Sequence, residues 1–170
     1  MDGYRVYTVD KTRFPDLRML SEKLEKRGVE LVAIIDPGVK SDDGYAVYRD
    51  LSNMNGLAVR NGEVYHNAVW PGDSVYPDYF DREVARYVTE TTANFMRDYK
   101  IGGIWCDMNE PASFNGPLPD DVMCGEYCHD RWHNLYGEYM ARATAAAFEL
   151  EGKRPYVITR ACFGTSAPFT

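Results

Sequence analysis

Three short apolar runs, each ending on a charged residue, divide the chain. They are Glu30–Asp36, Gly103–Asp107 and Tyr156–Arg160. Nearly continuous apolar runs of this length are typical of parallel strands that are covered on both faces. The pattern therefore predicts three buried parallel strands, and a charged side chain at the carboxyl end of each.

Helical patterns alternate with these strands. They cover Pro15–Arg27, Asp81–Tyr99 and Leu135–Leu150, and Asp81 is suited to be the N-cap of the second. The order helix, strand, helix, strand, helix, strand predicts right-handed βαβ units around a parallel sheet.

The connections differ in length on the two sides of the predicted sheet. Residues 37–80 and 108–131 are long strand-to-helix loops, whereas the helix-to-strand loops are short. This asymmetry is typical of a (β/α) barrel, in which the loops after the strands build the active site. A complete barrel needs eight strands and about 250 residues. We therefore expect an α/β fold in which residues 1–170 form a single, incomplete segment of a (β/α)8 TIM barrel with about three parallel strands.

Composition excludes some classes of partner. The net charge of −7 disfavours nucleic acid and anionic membranes, which select basic surfaces. No apolar run approaches the roughly 20 residues of a membrane span. The four cysteines do not form a secreted disulfide framework in a chain of this length, which indicates a reducing, cytoplasmic setting.

The strand ends carry the candidate chemistry. Asp36, Asp107 and Arg160 are expected at one edge of the sheet, where α/β proteins bind ligands, with Trp70 in a loop above them. Carboxylates, a guanidinium and aromatic walls suit a polyhydroxylated, uncharged ligand such as a sugar. A single strand-end Asp can equally serve as a cap for loop N–H groups.

Trp105 to Glu110 (W-C-D-M-N-E) resembles the W-x-D-M-N-E signature of glycoside hydrolase family 31, the α-glucosidase and α-xylosidase family. Further segments resemble that family in the same order along the chain. They are Met1–Thr8 with Phe14–Asp16, Ile34–Gly38, Val69–Gly72 with Tyr76–Asp78, His133–Gly137 and Ile158–Arg160. The resemblance thus extends over essentially all 170 residues, and it implies that they form roughly units three to five of the barrel.

The resemblance implies a retaining α-glycosidase that needs no cofactor and acts on an α-linked oligosaccharide or α-glucoside. It also implies roles for individual residues. These are Asp107 as the nucleophile, Asp36 and Arg160 as polar residues of the −1 sugar site, Trp70, Trp105 and Met108 as its walls, and Ile34 behind them.

One departure limits this prediction. A retaining glycosidase needs a second carboxyl group as acid and base, and the family's W-x-G-D motif for that group does not occur in this sequence. We therefore expect the 170-residue chain alone to be inactive. The alternative is a non-catalytic carbohydrate-binding unit, or a partial barrel that self-associates through its sheet edges. Glucose and xylose specificity both stay open.

Two other groups have competing interpretations. Glu110 follows Asp107 closely, but the resemblance makes it a structural support rather than the missing acid. Cys124, Cys128, His129 and His133 have a spacing that zinc sites use. Adjacent Cys128 and His129 project differently, and the family gives His133 no metal, so we expect no metal site.

Overall fold

The protein is described here by a computed structural model of residues 1–166. Its elements, in chain order, are α1 (Leu17–Glu25), β1 (Val32–Ile35), β2 (Val39–Lys40), α2 (Ala46–Asn53), β3 (Val59–Arg60), β4 (Glu63–Val64), β5 (His66–Val69), β6 (Gly72–Val75), α3 (Arg82–Tyr99), β7 (Gly103–Cys106), β8 (Met123–Cys124), β9 (Tyr127–Cys128), α4 (His129–Leu150) and β10 (Val157–Thr159). No helix among these residues has the length and apolar character that crossing a membrane requires.

The three predicted strands form one parallel sheet in the order β1-β7-β10. Backbone bonds continue just beyond the strand ends, because Asp107 N–H donates to the Ile35 carbonyl and Arg160 N–H to the Cys106 carbonyl, both at 3.0 Å. The charged residues that end the apolar runs therefore start from one edge of the sheet. The predicted partial barrel is confirmed.

The predicted helices are also present; α1 is two residues shorter at each end, and the largest change of boundary is in the third predicted helix. The Asp81 carboxylate caps α3 by accepting from the N–H groups of Glu83 and Val84, as predicted. The third predicted helix corresponds to α4, which begins at His129 rather than at Leu135. The earlier start places Trp132 in the core, where it is 2% exposed. Burial of a large ring favours this additional helical turn.

The expectation that residues 37–80 and 108–131 are only loops is wrong. The first segment contains α2 and the antiparallel sheet β2-β6-β5. A second antiparallel sheet, β4-β3-β8-β9, joins the two segments through the pairing of β3 with β8. Strands of two to four residues are too short to give a periodic pattern, and pairing between distant segments leaves no local signal.

The two faces of the parallel sheet differ in burial. Ile104 and Cys106 are 0% exposed, and β7 contacts α4 on this side. On the opposite face, Trp105 and Ile158 are adjacent in register and are 39% and 43% exposed. The prediction of strands covered on both faces is therefore wrong for residues 1–166, in which only one face is covered.

Candidate active site

Asp107 and Arg160 meet at the carboxyl edge of the parallel sheet, as the sequence predicts. Asp107 follows β7 and Arg160 follows the neighbouring strand β10. The distance from Arg160 Nη1 to Asp107 Oδ1 is 3.2 Å. The Asp107 side chain is 13% exposed, whereas that of Arg160 is 42% exposed. The pair therefore lies at a boundary between protein and solvent, where a ligand could reach the carboxylate.

Glu110 holds the opposite edge of the same guanidinium. Arg160 Nε donates to Glu110 Oε1 at 2.8 Å, and Nη2 donates to Oε2 at 2.7 Å. This bidentate arrangement leaves Nη1 directed towards Asp107. The bond from Arg160 lowers the pKa of Glu110. A carboxyl that is kept ionised in this way is a poor proton donor, which agrees with a supporting role for Glu110.

Asp36 is the more deeply buried carboxylate of the site. It follows β1 and is 5% exposed. Burial, and then the negative charge of Asp107, raise the pKa of the Asp36 carboxyl to about 6, while the charge of Arg160 opposes this rise. Asp36 therefore carries a proton more readily than an ordinary carboxyl group does.

Both acids have a buried oxygen without a hydrogen-bond donor in the described part of the chain. These atoms are Asp36 Oδ1 and Asp107 Oδ1. Arg160 Nη1 lies 3.2 Å from the second of them, but the contact is an ion pair and not an aligned hydrogen bond. Buried polar atoms in native proteins nearly always have a partner. Within residues 1–166, both carboxylates at this sheet edge therefore have unused capacity to accept a hydrogen bond.

The apolar members of the predicted site take different positions. Ile34 and Trp105 are paired in register between β1 and β7. Both therefore lie on the face of the sheet that leaves Trp105 partly exposed. Met108 directly follows Asp107, is 7% exposed and has a φ of 54°, a left-handed conformation that non-glycine residues seldom adopt.

Trp70 lies in the turn between β5 and β6 and is 51% exposed. Its ring stacks on Tyr4 with centroids 6.0 Å apart, and meets the edge of Phe114 at 5.2 Å. The β5–β6 hairpin is tied to the segment after β7 because Phe114 N–H donates to the Ala68 carbonyl at 2.8 Å. Tyr4 and Phe114 had not been predicted, since no local pattern joins positions so far apart in sequence.

Asn109 is a further polar residue that the sequence patterns did not single out. It is fully buried and bonded to the segment around Arg160. Its position two residues after Asp107, between a strand and a proline, is consistent with a residue of the site. An ordinary turn residue occurs at the same kind of position, so the sequence does not distinguish the two roles.

The Cys and His residues with zinc-like spacing do not form a metal-binding cluster in the described part of the chain. His133 Nδ1 lies 2.7 Å from His129 Nε2, so these two rings contact each other. Residues 1–166 contain no cluster of three or more Cys, His, Asp or Glu side chains that could hold a metal ion. All four cysteines are free thiols.

A partial (β/α) barrel with carboxylates at the carboxyl ends of its strands is an arrangement that glycoside hydrolases use. Comparison with known families identifies the family. The model of the glycosyl hydrolases family 31 TIM-barrel domain matches residues 1–170, and the chain belongs to this family. The family resemblance inferred from the motifs is thereby confirmed.

The relatives are α-glucosidases. The chain is 40% identical over 172 residues to "Alpha-glucosidase 2" of Bacillus thermoamyloliquefaciens, covering 96% of this chain and 22% of that protein. It is 38% identical over 182 residues to "Neutral alpha-glucosidase AB" of Homo sapiens, covering 99% and 19%. The chain therefore spans about a fifth of the length of these relatives.

Solved structures agree with this relationship. The α3-Glc2-bound glucosidase II alpha subunit superposes with a TM-score of 0.93 at 32% identity, over 99% of this chain and 20% of that one. A family 31 α-glucosidase from Bacteroides thetaiotaomicron gives 0.79 at 29% identity, over 100% and 28%. The fold of this segment is thus that of family 31 barrels.

Proposed function

We propose that the chain is part of the catalytic domain of a retaining α-glycosidase that hydrolyses terminal α-glucosyl or α-xylosyl residues, with Asp107 as its nucleophile. The observation that carries this proposal is the pairing of Asp107 with Arg160 at the carboxyl edge of a family 31 barrel sheet. The names of the relatives support a glucoside as the substrate.

The chemistry follows from the position of Asp107. An oxygen of its carboxylate attacks the anomeric carbon and forms an ester, while the bond from that carbon to the glycosidic oxygen breaks. The leaving oxygen takes a proton from a second carboxyl group, which then removes a proton from the water that hydrolyses the ester. The negative charge of Asp107 also stabilises the oxocarbenium-like transition state.

Asp36 and Arg160 serve binding in this proposal. The unsatisfied Asp36 Oδ1 accepts a sugar hydroxyl, and Arg160 holds the nucleophile in place. No residue of the chain is assigned as acid and base, because the family's W-x-G-D motif does not follow Arg160 in the sequence, Asp36 is assigned to binding, and Glu110 is held ionised by Arg160. We therefore propose that the chain alone does not turn over substrates whose leaving group needs protonation.

Two substrates with different leaving groups test these roles. The dinitrophenolate of a dinitrophenyl α-glucoside leaves without being protonated by an acid. One equivalent of this substrate is therefore expected to react with Asp107 and to label it, and mass spectrometry of the digest would show the label. A methyl α-glucoside is expected not to react. Asp107→Asn removes the labelling, whereas Asp43→Asn, which changes an exposed carboxylate, keeps it.

The outcomes separate the nucleophile from the missing acid. Labelling that survives Asp107→Asn would show that the nucleophile is another residue. Sustained hydrolysis of the methyl glucoside, lost in Asp107→Asn, would show instead that the chain contains its own acid and base.

The second candidate function is a carbohydrate-binding or self-associating partial barrel. The exposed face with Trp105 and Ile158 supports it, and within residues 1–166 β1 and β10 each pair only with β7. Ile158→Lys is expected to break such a dimer in size-exclusion chromatography with light scattering. Tyr127→Lys, which changes an exposed ring outside this sheet, is the control. A wild-type monomer at all concentrations would exclude self-association.

The setting of the protein is also a proposal. We propose a reducing, cytoplasmic location, which the cysteine pattern supports because the four thiols are unpaired. Alkylation in freshly lysed source cells is expected to modify Cys162, the exposed thiol, without prior reduction. Modification that requires a reductant would contradict this location.

A further inference from the structure

The side chain of Asn109 is fully buried, and its amide bonds to three partners. Nδ2 donates to Thr159 Oγ1 at 2.8 Å and to the Gly137 carbonyl at 3.5 Å, and Oδ1 accepts from the Ala161 N–H at 3.1 Å. The orientation of the amide is fixed by chemistry, because the backbone N–H of Ala161 can only donate and must face the oxygen.

The partners of Asn109 lie on both sides of Arg160 in the sequence. Thr159 precedes Arg160 and Ala161 follows it, and the two are also joined because Thr159 Oγ1 donates to the Ala161 carbonyl at 2.7 Å. Asn109 itself is two residues from Asp107. One buried amide therefore links the backbone that carries Asp107 to the backbone that carries Arg160.

The backbone between Asp107 and Glu110 needs such a link. Met108, between Asp107 and Asn109, has a φ of 54°. A left-handed non-glycine residue persists only where surrounding contacts fix it. On the carboxyl side of Met108, the contacts are the bonds of Asn109 and the bond from the Ala112 N–H to the Met108 carbonyl at 2.9 Å.

Helix α4 closes the arrangement from a third side. A Cβ atom at Gly137 would lie 2.7 Å from the Ala161 carbonyl oxygen and 3.0 Å from that of Asn109. The helix backbone thus contacts both strand ends directly, and the Asn109 amide fits between them.

We propose that Asn109 is a positioning residue of the site, whose buried amide sets the position of Arg160 relative to Asp107. The inference deepens the proposed function, since that function assigns the roles of Asp107 and Arg160. It requires an amide at position 109, because one group there must donate to Thr159 and accept from Ala161 at the same time.

Asn109→Asp tests this requirement with almost no change of shape. The ionised carboxylate keeps the acceptor for Ala161 but has no donor, and it faces the Gly137 carbonyl. Protonation returns one donor, so the defect is expected to be reversed by acid. Asn94→Asp is the matched control, because it makes the same change on the exposed face of α3.

The readout is hydrogen exchange of the Arg160 Nε–H, followed by ¹⁵N NMR without any sugar present. This proton donates to Glu110 Oε1 at 2.8 Å, and we expect that bond to slow its exchange in the wild type. At about pH 8 we expect exchange in Asn109→Asp to be on the order of tenfold faster than in wild type, the size expected for one lost hydrogen bond. At about pH 5, where burial keeps a carboxyl protonated, the ratio is expected to return towards one.

A second variant covers the case in which Asn109→Asp does not fold at neutral pH. Thr159→Val removes the acceptor of the amide and is expected to accelerate the same exchange about threefold. An unchanged Arg160 signal in these variants, with only the free energy of unfolding lowered, would overturn the proposal. Because the exchange measurement uses no substrate, its result does not depend on whether the glycosidase assays succeed or fail.

Discussion

Replacing Asp36 by Asn is expected to stabilise the fold at neutral pH. The side chain is 5% exposed, and no hydrogen bond satisfies its buried Oδ1 within residues 1–166. Burial first, and the charge of Asp107 second, raise the pKa of this carboxyl from 3.8 to about 6, although Arg160 opposes the rise. Asn keeps the shape of the side chain and removes the charge.

The sign and size follow from linkage between protonation and folding. Between about pH 3.8 and about pH 6, the folded chain keeps a proton on Asp36 that the unfolded chain has released. The contribution of Asp36 to stability is therefore full below this window and is lost as the pH rises through it. A rise of the pKa from 3.8 to about 6, at about 1.36 kcal/mol per unit, corresponds to a loss of about 3 kcal/mol.

Urea denaturation followed by circular dichroism measures this effect in wild type and Asp36→Asn across the window. The difference in free energy of unfolding between variant and wild type is expected to grow by up to about 3 kcal/mol between about pH 4 and about pH 7. Titrating groups that do not interact with Asp36 cancel in that difference. Asp43→Asn is the control, because it shows how the loss of a surface carboxylate changes the pH dependence of the free energy of unfolding. If the difference in free energy of unfolding between Asp36→Asn and wild type is the same at about pH 4 and about pH 7, the reasoning is refuted.

Three further predictions concern the neighbours of this site and the helices. Asp107→Asn should lower the pKa of Asp36, because it removes a negative charge that raises it, and ¹³C NMR titration of the Asp36 carboxyl measures the change. Gly137→Ala should destabilise the fold by about 1–3 kcal/mol in urea denaturation, since its methyl group would meet backbone oxygens. Gly164→Ala, whose methyl group would meet no atom of the described residues within 4 Å, should be neutral, and an equal loss in both variants would contradict this account. Asp81→Ala should cost about 1 kcal/mol through the lost α3 cap, and no change in thermal stability would contradict that role.

The part of the fold that the sequence predicted is the part with a strong local pattern. β1, β7 and β10 are apolar runs bounded by charges, and α3 has both a periodic apolar face and an Asp cap. Helix α2 lacks such signals, because Tyr45 at its N-cap makes no side-chain bond and its first turn contains no acid. Its existence depends on packing of Val47 and Leu51 in the core, which a short segment does not reveal.

The site divides in the same way. The meeting of Asp107 and Arg160 follows from parallel strands that end at one edge, so it could be predicted from strand order alone. The bonds of Arg160 to Glu110 and of Asn109 to Thr159 join residues 50 positions apart. They depend on the distance between strand ends to within an ångström, and hydrophobic patterns do not contain that distance.

The unsatisfied charges of the site are best explained by binding. A carboxylate that is buried beside another carboxylate lowers stability, and hydrophobic residues at the same positions would avoid this loss. The fold instead places Asp36 and Asp107 so that each has an oxygen without a donor among residues 1–166, while Arg160 is held by Glu110 and forms an ion pair with Asp107. Under the proposed function, sugar hydroxyls would supply the absent donors. The same change that stabilises the free protein, Asp36→Asn, should then weaken its binding of a glucoside, and this opposition separates a binding carboxylate from a strand-end cap.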